Sequence, residues 1–192
     1  TATTTPSGLT VDITYDGSAT APTAAGSYTV LATINDANYE GTASNTLVIA
    51  KASATVVLDD LAQTYDGTAK SVTATTTPSG LTVDITYDGS ATAPTAAGSY
   101  AVVATINDAN YEGTASNTLV IAKPSATVEL DDLAQTYDGT AKSATATTTP
   151  SGLTVDITYD GSATAPTAAG SYTVLATIND ANYEGTASNT LV

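Results

Sequence analysis

One feature constrains this chain more than any other: it repeats itself. The string TTTPSGLTVDITYDGSATAPTAAGSY occurs three times, with its proline at Pro6, Pro78 and Pro150. The period is therefore 72 residues, and the 192 residues hold two periods plus 48. Residues 1–48 and 145–192 are identical. Residues 73–120 differ from them only by Ala101 for Thr29 and Val103 for Leu31. Helical and leucine-rich solenoids repeat every 20–50 residues or so. A longer unit of this kind is a small domain with its own core. The expected organisation is beads on a string: an incomplete repeat over 1–50 that lacks its first strands, a complete repeat over 51–122, and a nearly complete one over 123–192.

Within the middle copy, residues 54–58 (ATVVL) are rich in β-branched side chains and read as a strand, and 61–65 continue extended. Asp66-Gly67 is a turn dipeptide. Residues 70–76 read as a weak second strand, and 77–80 (TPSG) as a loop. The clearest segment is 81–87, where Leu81, Val83, Ile85 and Tyr87 alternate with Thr82, Asp84 and Thr86. A period of two marks a half-buried strand. Residues 90–97 carry Pro94, which confines them to an edge. Tyr100, Val102, Ala104 and Ile106 alternate along a further strand. Residues 107–113 read as a polar hairpin connection, and 114–122 as the last strand. Nowhere do apolar residues take the spacing of a helix. The fold class is all-β: tandem small antiparallel immunoglobulin-like sandwiches, with six to seven strands per module. The expected core is Val56, Leu58, Leu61, Val83, Ile85, Tyr87, Tyr100, Val102, Ile106, Leu119 and Ile121. Val57 becomes Glu129 one period later, so this position should face water.

Two motifs carry family resemblances. Gly98-Ser99-Tyr100-Ala101-Val102 resembles the start of strand F in immunoglobulin-type domains, where the Tyr forms a corner with upstream backbone. Val102 stands where those domains place a Cys. More closely, the chain resembles the bacterial surface repeats called MBG or YDG domains. The resemblance rests on Tyr65-Asp66-Gly67, Gly98-Ser99-Tyr100, Asn110-Tyr111-Glu112-Gly113 and the closing Leu119-Val120-Ile121-Ala122-Lys123. It covers the whole period and all three copies. It implies exported, adhesin-like proteins in which such modules form stalks, and it implies no catalytic residues.

Composition agrees with a non-enzymatic role. There is no Cys and no His, and 4 Lys stand against 19 acids, for a net charge of −15. General acid–base and thiolate chemistry lose their usual groups. The adjacent carboxylates Asp59-Asp60 and Asp131-Asp132 sit where a strand ends, as solvated turns do. Nucleic acid and anionic membrane are poor partners for such a field, and no apolar run is long enough to insert in a membrane. No motif requires a cofactor.

Ca²⁺ is the one candidate ligand. Asp36, Asn38 and Glu40 precede Gly41, and the same pattern recurs as Asp108, Asn110, Glu112 and as Asp180, Asn182, Glu184. Alternate oxygen ligands before a Gly imitate the first half of an EF-hand loop. The bidentate acid at its twelfth position is replaced by Leu47, Leu119 and Leu191, and strands flank the loop. The plainer reading is a polar hairpin whose Asp, Asn and Gly serve the turn. Lys70 and Lys142 stand with Asn117 and Asn189 in each later copy as a Lys–Asn cross-link pair, or as a solvated Lys and a strand-edge Asn. Tyr65 and Tyr111 can stack on sugars or partner proteins, or pack on the edge of their own module.

The junctions Ala50-Lys51-Ala52 and Ala122-Lys123-Pro124 are short, which favours stiff coupling over free beads. The expected function is a stalk or spacer in an extracellular or cell-surface bacterial adhesin or fibre. The alternatives are a carbohydrate- or protein-binding adhesion module, and a filament subunit assembled by strand donation. The expected partners are neighbouring repeats of the same chain, with identical chains joined head-to-tail as a second class. In that second case residues 1–48, without their first strands, should be disordered or completed by another chain.

Overall fold

The computed structural model describes all 192 residues. It holds strands and no helix. The first copy contributes β1 (Val11–Tyr15), β2 (Gly26–Ile34) and β3 (Thr42–Ile49). The second contributes β4 (Ala52–Ser53), β5 (Thr55–Asp59), β6 (Ala62–Thr64), β7 (Thr73–Thr77), β8 (Val83–Tyr87), β9 (Gly98–Ile106), β10 (Tyr111–Glu112) and β11 (Thr114–Ala122). The third contributes β12 (Thr127–Asp131), β13 (Thr145–Thr149), β14 (Val155–Tyr159), β15 (Tyr172–Ile178) and β16 (Thr186–Leu191).

Sheet pairing is mostly antiparallel, with two exceptions. The first copy is a three-stranded sheet in the order β1-β2-β3, and the third repeats it as β14-β15-β16. Register is preserved: Val11 pairs with Ile34 as Val155 pairs with Ile178. The middle copy has a four-stranded sheet in the order β6-β11-β9-β8 and a two-stranded sheet β5-β7. The expectation of purely antiparallel strands is corrected at β6 with β11 and at β4 with β10, which are parallel pairs. Strand β6 joins the edge of the four-stranded sheet, while β4 and β10 form a two-stranded sheet of their own. The weak strand expected over 70–76 forms later, as β7. Lys70 N–H instead donates to Pro94 O at 2.8 Å in irregular chain.

The third copy shows how a module closes. Strand β12 packs on β15 and β16. Ala144, Tyr159, Val174 and Leu191 form the buried cluster, flanked by Leu130, Leu133, Ile157 and Tyr172. The Tyr159 hydroxyl lies inside this core and accepts the Ala144 N–H at 2.8 Å, as Tyr87 accepts Val72 N–H at 3.0 Å. A buried phenol needs such a partner. Tyr100 O–H donates to Ala96 O, four residues upstream, at 2.9 Å. That is the tyrosine corner which the Gly-Ser-Tyr run suggests. Val57 is 55% exposed, as its exchange with Glu129 requires.

The expected core is refined rather than replaced. Leu58, Tyr87, Val102, Ile106, Leu119 and Ile121 are buried, and so are Ala54, Val72 and Ala104. Val56, Leu61, Val83, Ile85 and Tyr100 are half-buried. A sheet covered by only two short strands leaves its margins partly wet. Strands β1–β3 of the first copy are formed, not disordered. Yet Val30, Ala32, Ile34 and Leu47 are only half-buried, while Val102, Ala104 and Leu119 are 0% exposed. The sequences are alike at these positions. The difference is that the first copy has no counterpart of β5, and that Thr1–Thr5, which match β7 in sequence, form no strand.

By backbone proximity the chain forms two compact units. One holds Thr1–Val57, Ala74–Ile85 and Ala104–Ala115; the other holds Leu58–Thr73, Thr86–Val103 and Ser116–Val192. The first unit contains everything from the first copy plus the 108–113 hairpin of the second. The second contains everything from the third copy plus Tyr65 and the 86–103 stretch of the second. Each unit thus encloses one complete junction between consecutive modules.

Candidate functional site at the module junctions

Each hairpin of the Asp-Ala-Asn-Tyr-Glu-Gly type is built from its first residue. Asp108 Oδ1 accepts the N–H of Asn110 at 2.7 Å and of Tyr111 at 3.0 Å. Asp180 does the same for Asn182 and Tyr183 at 2.7 and 3.0 Å. This is an Asx turn, in which a short carboxylate closes the loop on its own backbone. It leaves the Asn side chain at the tip, free to reach elsewhere.

In the first unit that side chain reaches the preceding module. Asn110 Oδ1 accepts the N–H of Ala25 at 2.8 Å, 85 residues back in the chain. The linker is tied to the same hairpin. Lys51 Nζ donates to Asp108 O at 2.6 Å, Ala52 N–H to Asn110 O at 2.8 Å, and Ala54 N–H to Glu112 O at 2.8 Å. These bonds make the parallel pair β4–β10. They need Gly113: a Cβ there would stand 2.2 Å from Ala54 O. A glycine with ordinary φ is required here for close approach of two backbones.

In the second unit the arrangement recurs. Ala97 N–H donates to Asn182 Oδ1 at 2.9 Å, Lys123 Nζ to Asp180 O at 2.6 Å, and Ala126 N–H to Glu184 O at 2.7 Å. Gly185 is held as Gly113 is: a Cβ built there would collide with Ala126 O. One bond differs. Pro124 stands where Ala52 stood and has no N–H to give Asn182 O. Its carbonyl accepts Glu184 N–H at 3.2 Å, and the pairing shrinks to the single bridge Ser125–Glu184. The rings of Tyr65 and Tyr183 also meet edge-to-face here, with centroids 5.4 Å apart and an interplanar angle of 84°. Such a pair contributes about 0.5–1.5 kcal/mol beyond its buried area.

The residues considered as Ca²⁺ ligands thus lie on these hairpins, at the junctions. Asp36 accepts Asn38 N–H at 2.8 Å in the first copy, as Asp108 and Asp180 do in theirs. Glu40, Glu112 and Glu184 are exposed. No group of three or more His, Cys, Asp or Glu side chains gathers where a metal would sit. Lys70 and Asn117 each have another partner. Lys70 Nζ pairs with Asp66 Oδ2 at 2.5 Å, and Asn117 Oδ1 accepts the N–H of neighbouring Thr118. The ammonium, with Thr68 donating to the same carboxylate, holds the Asp66 carboxyl far below its usual range; Lys142 and Thr140 do the same for Asp138. Asp60 Oδ2 accepts Thr73 Oγ1–H at 2.7 Å, so the Asp59-Asp60 pair marks the end of β5, tied to the start of β7.

The socket residues Ala25 and Ala97 had no signal in the sequence. They contribute an amide N–H, which every residue except proline has, and only the fold shows that these two are aimed at the next module. A family model described as the MBG domain matches residues 1–53, 54–125 and 126–192. No curated protein and no solved structure matches the chain.

Proposed function

The chain belongs to the MBG domain family, and from that premise we propose that it is a spacer segment of a bacterial surface protein, extracellular and non-enzymatic, in which modules are coupled stiffly enough to set a distance. The observation that carries this reading is the recurrence of one junction. Asn110 meets Ala25 at 2.8 Å, and Asn182 meets Ala97 at 2.9 Å. Lys51 and Lys123 tie the linker to the hairpin at the same 2.6 Å. A module specialised for a ligand needs one copy to differ from the rest. Here the differences between copies at the surface, Thr29 against Ala101, Leu31 against Val103, Val57 against Glu129 and Ala52 against Pro124, are single scattered positions. The absence of His and Cys supports the non-enzymatic part of the reading.

Small-angle scattering on arrays of two, four and six modules tests it. The maximum dimension should rise linearly by about 30–40 Å per module, as strands of seven to nine residues at ~3.3 Å each plus turns would give. Growth with the square root of module number would mean flexible beads and would remove the spacer reading.

A further inference from the structure

An Asp-Gly bond can rearrange without any enzyme, because no side chain shields the glycine nitrogen. That nitrogen attacks Asp Cγ: an N–C bond forms, the amide proton goes to solvent, and one carboxyl oxygen leaves as water. Water then reopens the five-membered ring at either carbonyl. Opening at the α-carbonyl leaves the main chain running through the Asp side chain, as isoaspartate, with no net change in atoms. The oxygen leaves only from a protonated carboxyl, so an ionised carboxylate resists the attack.

The chain has five such bonds, after Asp16, Asp66, Asp88, Asp138 and Asp160. They fall into two sets. Around Asp88 the backbone closes the turn: Tyr87 and Ser90 exchange N–H···O bonds at 2.7 and 2.9 Å, and Asp88 N–H donates to Ala101 O at 2.8 Å. Asp16 and Asp160 are held in the same way. No backbone bond spans the turns at Asp66 and Asp138, and both are exposed to water. Side chains close them instead. Asp66 Oδ1 accepts Thr68 N–H at 2.9 Å and Thr68 Oγ1–H at 2.6 Å, and Oδ2 accepts Lys70 Nζ at 2.5 Å. Asp138 takes the same three donors from Thr140 and Lys142, at 2.9, 2.5 and 2.7 Å.

We propose that Asp66-Gly67 and Asp138-Gly139 are isoaspartate sites, kept closed by Lys70 with Thr68 and by Lys142 with Thr140. Donors occupy both oxygens of each carboxylate, and donors to the charged form favour it. The cation is delivered from a fixed stem: the Lys70 side chain is 13% exposed, and its backbone N–H is bonded to Pro94 O at 2.8 Å. Two of the 4 lysines in the chain are placed this way. As stabilisers of the fold such surface pairs contribute only about 0–1 kcal/mol. Their larger effect is on the covalent lifetime of the turn, and it does not depend on the spacer reading.

Ageing the 192-residue chain at neutral pH tests the proposal, with isoaspartate counted by enzymatic methylation and located by peptide mass spectrometry. K70M keeps an apolar stem and removes the charge; K70R keeps a charge. In K70M isoaspartate should form several-fold faster at Asp66 and at an unchanged rate at Asp138 and Asp88 of the same molecules. K70R should stay close to the parent chain, and hydrogen exchange of the amide at position 70 should not change in either variant. No acceleration at Asp66 in K70M overturns the proposal. So does an equal acceleration at Asp88, or one as large in K70R. An acceleration that comes with lost protection of the position 70 amide also overturns it, because loosened backbone and not the missing charge would then open the site.

Discussion

Ala25 and Asn110 lie 85 residues apart in sequence, and the N–H of the first donates to the side-chain oxygen of the second at 2.8 Å. The pair 72 residues further on, Ala97 and Asn182, repeats it at 2.9 Å. The hairpin that bears the Asn is closed by its own Asp. The linker that delivers the module is bonded to the same hairpin. Three local devices, a turn, a parallel backbone pair and a side-chain bridge, therefore converge on one segment of each repeat.

The close approach at this segment gives a prediction with an internal control. G113A places a methyl group against Ala54 O, and G185A against Ala126 O. Backbone atoms must move, and thermal unfolding should show a loss of about 1–3 kcal/mol for each. G41A has the same sequence neighbours, but its new methyl meets only Ile34 Cδ1, at 3.2 Å. It should cost less than about 1 kcal/mol, since no strand of the linker is paired there. Equal losses at all three glycines would contradict the role assigned to β4–β10.

The three copies also give a matched comparison in the core. Leu119 is 0% exposed, while Leu47, in the same sequence context, is half-buried. L119A should destabilise the middle module by about 2–5 kcal/mol. L47A should cost distinctly less, because less surface leaves the interior and no closed cavity forms. Hydrogen exchange of β9 and β2 amides would separate the two modules. A loss for L47A as large as for L119A would mean that the first copy is covered by something else in solution.

Acid sensitivity should localise to the Tyr-Asp-Gly turn. The carboxyls of Asp66 and Asp138 are held low by Lys70 and Lys142 and by a Thr donor. A folded-state value below the unfolded one stabilises the fold at pH above about 3.9, and that contribution is lost progressively as pH falls from there through the folded-state value. Both pairs are on the surface, so salt should shrink the effect. In D66N the stability lost between pH 4 and the acid limit should be smaller than in the parent chain. A profile unchanged by D66N and D138N together would exclude these pairs as its source.

Calcium is a separate question with a clear expectation. Asp108 Oδ1 already closes its turn, and Asn110 Oδ1 already holds Ala25. An ion coordinated by both would have to displace those bonds. Melting temperatures with millimolar Ca²⁺ and with chelator should therefore coincide, because an ion bound only to the folded state must raise stability. A rise with Ca²⁺ that D108A abolishes would show that the hairpin is a metal loop after all.

Much of this architecture is legible in the sequence, and the reason is periodicity. The alternation through Val83, Ile85 and Tyr87 needs no tertiary information, since a strand half-buried on one face imposes it. The exchange of Val57 for Glu129 reveals an outward position in the same way. What the chain does with its hairpins is less legible. Asp, Asn and Gly are favoured in a turn, in a metal loop and at an interface alike, and only the position of Ala25 decides among them. Parallel pairing at β4 and β6 was also hidden, because the residues involved, Ala52-Ser53 and Ala62-Gln63-Thr64, are too short a run to show any period. Pro124 restricts the backbone of its linker, as any proline does. It also deletes one bond of the junction, which becomes visible only beside Ala52.

The most direct test is a distance distribution across one junction. The chain has no cysteine, so T33C and T105C place two spin labels at equivalent exposed positions of consecutive modules. Pulsed electron double resonance then reads how fixed the two modules are. The distribution should be single and narrow in the labelled chain, and it should broaden when K51A and N110A remove the Lys51 and Asn110 bonds. A broad distribution before those changes, or a narrow one that survives them, would contradict a spacer built on this junction.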